Sequence, residues 1–87
     1  MNLNNEELKF PVEWHYKIIV LADCTEVKDQ LSRVFARHGF MVEPVPGHKS
    51  KNGKYLTYNA TVTFQNKTEM TLLSEELATV ESVKFLL

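Results

Sequence analysis

Cysteine occurs once in this chain of 87 residues, neither charge sign is in excess, and there is no long apolar run. The lone Cys24 excludes an intrachain disulfide and has no second thiol with which to build a zinc site, so a reducing, cytoplasmic setting fits best. Ten Lys and Arg face eleven Asp and Glu, for a formal charge of -1, which weighs against a dedicated nucleic-acid binder drawing its affinity from phosphate neutralisation. Met1 to Lys9 is polar and acidic, and is expected to be neither a secretory signal nor a membrane span. In that setting the sequons at Asn59 and Asn66 read as coincidences of composition.

What is present is a foldable composition. Hydrophobic residues make up 44% and charged residues 24%, close to the globular average and far from the signature of disorder. The length holds one domain. We expect a loose tail over residues 1–9 and a single domain over 10–87. A chain this short buries only about 60 to 65% of its unfolded surface, so an uncovered face is a natural place for a partner.

Periodicity supplies the elements. From Trp14 to Leu21, the residues Trp14, Tyr16, Ile18 and Val20 share one side of an extended strand and His15, Lys17, Ile19 and Leu21 the other. Asp23 followed by Glu26 has capping-box spacing and predicts a helix start there, with a core stripe of Val27, Leu31, Val34, Phe35 and His38 and a stop at Gly39. Phe40 to Val45 is apolar and β-prone, but Pro44 and Pro46 lack backbone donors, which assigns this second strand to a sheet edge. Asn52-Gly53 marks a hairpin turn, and Tyr55 to Phe64 alternates cleanly, with Leu56, Tyr58, Ala60, Val62 and Phe64 on the buried side. Asn66 with Glu69 repeats the capping pattern before a stripe of Met70, Leu73, Leu77 and Val80, and Val83 to Leu87 closes as a short strand.

The order strand, helix, strand, strand, helix, strand with right-handed crossovers gives an α+β, ferredoxin-like βαββαβ sandwich. It has a four-stranded antiparallel sheet, two helices on one face, and the first and third strands at the centre. The other sheet face stays open.

Three stretches read together carry a family resemblance: Phe10-Pro11 leading into Lys17-Ile18-Ile19-Val20, Ser50-Lys51-Asn52-Gly53-Lys54-Tyr55 leading into a Thr-rich strand, and the terminal Val83-Lys84-Phe85-Leu86-Leu87. Together they resemble the YbeD-like bacterial proteins, a domain family of unknown function. The resemblance implies a ferredoxin-like fold similar to the ACT regulatory domains, and by fold analogy a regulatory or binding role. No catalytic motif travels with it. Ala22-Asp23 also lacks the glycine that ACT domains place after the first strand.

The chemistry-bearing residues do not converge. Cys24 is expected in the first turn of helix one, two strand spacings from His48 and too far to form a nucleophile-base pair, so no catalytic residue is assigned and the protein is expected not to be an enzyme. His15, His38 and His48 are not at ligand spacings; no metal or cofactor is expected. Two binding surfaces are the candidates. One is the basic hairpin with His48, Lys49, Lys51, Lys54 and Tyr55; the other is the open face, with Ile19, Leu21 and Leu86 pointing outward, rimmed by Lys17 and Lys84. The expected partner is a protein or a small anionic effector, with homodimerisation through the open face as one form of the first. Nucleic acid is the alternative from another class, disfavoured because Tyr55 is the one aromatic expected on that face.

Overall fold

The strand that organises the molecule is the one with the cleanest alternation after Trp14. In the computed structural model, which describes residues 9–87, β1 spans Val12–Leu21 and pairs along its whole length, antiparallel, with β3, Tyr55–Phe64. The tail expected over residues 1–9 lies outside the described residues apart from Lys9. β2, Val45–Lys49, joins the far side of β3, and β4, Val83–Leu86, joins the free side of β1. The sheet order is β2-β3-β1-β4, so the first and third strands are central and the proline-bearing second strand is an edge, as its missing donors require.

Helix α1 spans Val27–Arg37 and α2 spans Lys67–Thr79; both cover one face of the sheet. Tyr16, Ile18, Val20, Tyr58, Ala60, Val62 and Phe64 from the strands meet Val27, Leu31, Val34, Phe35, Leu73 and Leu77 from the helices in one core. Its centre is aromatic. The Tyr16 ring lies edge-on to both Phe35 and Phe64, with centroids 6.3 Å apart in each pair, a geometry that sets ring edges against electron-rich faces. The hydroxyl of Tyr16 reaches Ser74 on α2 at 2.6 Å, so the buried ring keeps a polar partner and pins α2 to the central strand. Burial outweighs that bond and pushes the Tyr16 phenol above its ordinary range.

Two local expectations fail. Phe40 to Val45 is not the second strand: strand pairing begins only at Val45. The segment before it seals the core instead, with the Phe40 ring 5.4 Å from that of Phe64 and Pro44 fully buried. The helix start at Asp23 fails too. The chain turns through residues 22–26, the Cys24 amide donating to the Leu21 carbonyl, and the helix opens at Val27 with Glu26 in the cap position and no side-chain cap. Cys24 is therefore in the turn rather than in the helix, partly buried against the core. At α2 the same pattern is realised: Asn66 Oδ1 accepts from the Glu69 amide at 2.9 Å, and Glu69 Oε1 accepts from the Gln65 amide at 2.7 Å.

The hairpin between β2 and β3 forms as its sequence dictates. Gly53 has φ of +75°, the Gly53 amide donates to the Ser50 carbonyl, and Asn52 Oδ1 accepts from both Ser50 Oγ and the Lys54 amide. Among the described residues no helix is long and apolar enough to cross a membrane.

Candidate functional site

Strand register decides which side chains reach the open face, because residues directly opposite each other in a ladder share a face. β1 presents Glu13, His15, Lys17, Ile19 and Leu21 there; β3 presents Thr63, Thr61, Asn59, Thr57 and Tyr55 opposite them. His15 Nδ1 bonds Thr61 Oγ1 at 2.9 Å, and its other ring nitrogen lies 3.6 Å from Glu13, making one end of this face polar.

The other end is apolar, but not with the residues expected. β4 pairs Ile18 with Leu86 and Ile19 with Phe85, so Leu86 turns inward against the core and Phe85 faces out, 55% exposed. The expected outward Leu86 is thereby corrected. The cause is a β-bulge: Val20 pairs with Val83, leaving Lys84 as an extra residue on β4 and inverting the alternation beyond it. Leu87 exchanges both main-chain hydrogen bonds with Lys17, at 2.9 and 3.0 Å, and its side chain is exposed.

Ile19, Leu21, Tyr55, Phe85 and Leu87 thus form one apolar patch across three strands. The rings of Tyr55 and Phe85 meet edge to face with centroids 6.3 Å apart, bridging β3 to β4 over β1. Lys54 Nζ sits 5.4 Å from the Tyr55 ring centre, within cation–π reach. The basic hairpin joins the patch at this end. Leu21 pairs with Tyr55, and the Ala22 amide donates to the Lys54 carbonyl at 2.8 Å, so Lys54 borders the apolar residues; Lys49 pairs with the core-facing Leu56 and lies on the other side of the sheet, and His48, Lys49, Lys51 and Lys54 are all exposed. The hairpin and the open face therefore meet at Lys54 and Tyr55. Phe85 was the residue missed, and it was missed because a bulge leaves no mark in a simple alternation.

On the helix side, Arg37 and His38 converge on Glu76 of α2. Arg37 holds Glu76 Oε2 through its guanidinium, and His38 Nε2 bonds Oε1 at 2.6 Å. The Arg37 hydrogen bond first, and that of His38 second, hold the Glu76 carboxyl below the usual carboxylate range. This is a clasp between helices with its charges mutually satisfied.

A two-layer sandwich with the element order βαββαβ and the strand order β2-β3-β1-β4 is a ferredoxin-like domain. The chain belongs to the family described as a protein of unknown function, DUF493, whose model matches residues 5–87. The UPF0250 protein of Edwardsiella ictaluri is 32% identical over 83 residues, covering 95% of this chain and 94% of that one. A UPF0250 protein of Yersinia pestis strain Pestoides F is 34% identical over 84 residues, with the same coverage. These relatives bear out the YbeD-like resemblance. Among solved structures, protein HP0495 of Helicobacter pylori has the same fold, with a TM-score of 0.78 at 18% identity over 100% of this chain and 94% of that one. A second solution structure of that protein gives 0.65 at 20% identity, covering 90% and 87%.

Proposed function

We propose that this domain is a non-enzymatic, cytoplasmic binding module that associates with a partner protein through its open sheet face. The observation that carries the reading is the outward Phe85, edge-on to Tyr55 and flanked by Ile19, Leu21 and Leu87. Contiguous apolar surface of this kind, bordered by charge, is what protein contacts use, and aromatic residues supply much of their energy. The exposed Lys17, Lys54 and Lys84 favour a partner whose own apolar centre is rimmed by carboxylates. The test is affinity purification from the native cell with the wild type and with Ile19→Asp and Phe85→Asp. Partners retained by the wild type should be lost from both variants while circular dichroism stays native. Sedimentation of the purified domain addresses the homodimeric form, and retention of every partner by both variants refutes the reading.

A second reading, single-stranded RNA on the same face, draws support from Tyr55 and Phe85 standing beside Lys54, since bases stack on exposed rings. The net charge of -1 speaks against it. A labelled oligonucleotide binding with steep salt dependence, and losing affinity when Lys49, Lys51 and Lys54 become Gln, would favour RNA over protein.

A further inference from the structure

Beyond the open face, the side of β1 that meets β4 is only half used. β4 pairs with Ile18, Ile19 and Val20, and Leu87 exchanges both main-chain hydrogen bonds with Lys17, so β4 stops at the level of Lys17. Among the described residues nothing pairs with that side of residues 12–16. Along a strand, the main-chain groups of successive residues point to alternate sides. Lys17 turns its own toward β4, so His15 and Glu13 turn theirs the same way, and the N–H and C=O groups of both residues line an unpaired edge of a central strand. Trp14 stands between them on the helix side, its ring edge-on to Tyr16 with centroids 6.5 Å apart, and it is only partly buried there. On the outer face Glu13 and His15 are both exposed.

We infer that this edge pairs, antiparallel, with the same edge of a second copy of the chain, about a two-fold axis that passes through Trp14 perpendicular to the sheet. The main-chain directions admit pairing of Glu13 with Glu13, of His15 with His15, or of Glu13 with His15 of the other copy. Glu13 against Glu13 sets like charges directly opposite, which is destabilising. His15 against His15 sets residue 13 against Lys17, whose main chain is already bonded to Leu87. Glu13 against His15 sets a carboxylate opposite an imidazole donor twice over, once on each side of the axis. It also fits the space: Val12 of one copy falls opposite Tyr16 of the other, so residues 12–16 of both are paired and neither strand runs into Leu87. The unpaired groups of Glu13 and His15 then find partners, and the two Trp14 side chains meet across the axis as a close aromatic pair. The axis is perpendicular to the sheet, so both open faces lie on one side of a continuous sheet with Tyr55 and Phe85 uncovered. This pairing therefore stands or falls apart from the open-face reading.

The experiment is sedimentation equilibrium of the full chain over a range of concentrations, with amide hydrogen exchange measured at the two ends of that range. The mass should rise toward that of a dimer, and the Glu13 and His15 amides should gain protection in step with it. His15→Glu alters an exposed side chain and should keep the native circular dichroism, but it sets Glu opposite Glu on both sides of the axis. It should raise the dissociation constant about fivefold or more, because two favourable cross-strand pairs become unfavourable. Adding Glu13→His to His15→Glu restores the carboxylate and imidazole pairs in swapped order and should return the constant to near the wild-type value. Ile19→Asp and Phe85→Asp should leave the dimer intact, whereas a dimer built on the open face would be lost in both and kept in His15→Glu. A monomer at every concentration, no protection at Glu13 and His15, a dimer indifferent to His15→Glu, or one lost in Phe85→Asp would overturn the assignment.

Discussion

Phe85 lies opposite Ile19 on the outer face of the sheet, while its neighbour Leu86 lies opposite Ile18 over the core. One bulge sets this parity, and adjacent residues of one strand thereby acquire opposite roles. Phe85→Asp should leave stability within about 0.5 kcal/mol, because the new carboxylate meets water. Leu86→Asp should cost about 2 kcal/mol or more, because it places a carboxylate against the core. Urea denaturation of the two variants checks the pair; a larger loss for Phe85→Asp would mean the bulge is misplaced.

The clasp on Glu76 gives the fold an acid limb. Its folded-state pKa lies below the unfolded value, so the stabilisation is fully present above the unfolded pKa, about 4.3 for Glu, and is lost as pH falls through the folded one. Glu76→Gln should flatten the fall in stability on the acid side of that value, and Arg37→Gln should do so in part. Thermal unfolding followed from neutral pH down through the carboxylate range reads this directly.

Tyr16 contributes the opposite limb. Its folded-state pKa is raised above the ordinary value of 10.0, so the stability it carries is present below that pH and is lost as pH rises through the folded pKa. In Tyr16→Phe the alkaline loss should be smaller, at a cost of about 1 kcal/mol near neutrality for the hydrogen bond to Ser74. Denaturant titrations at neutral pH and above pH 10 separate the two effects.

Two helix starts with the same spacing should respond differently. Asn66→Ala removes an observed cap from α2 and should cost about 1 kcal/mol, whereas Asp23→Ala should stay within about 0.5 kcal/mol because α1 has no side-chain cap. Comparing chemical denaturation midpoints of the two variants tests this.

Gly53→Val meets no neighbour within 4 Å of the added Cβ, yet should destabilise by about 1 kcal/mol or more, since φ of +75° disfavours a β-branched residue. An unchanged melting temperature would place the turn in another conformation.

Local pattern sufficed wherever one face of an element is buried along its whole length. β1 and β3 alternate without interruption, α1 and α2 carry their stripes where Val27, Leu31, Phe35, Leu73 and Leu77 predict, and Pro46 admits its strand only to an edge. From these the element order and the open face follow. What sequence alone left undecided depends on contacts between distant segments. Phe40 could pair as a strand or fill the core, and only the Phe64 ring beside it settles the matter. Asp23 and Glu26 have the spacing of a cap, but the chain spends those residues turning from the sheet to the helix layer. The parity of β4 hangs on one extra residue, Lys84, whose insertion is visible only against its partner strand, because pairing register is a relation between two strands and is written in neither of them alone.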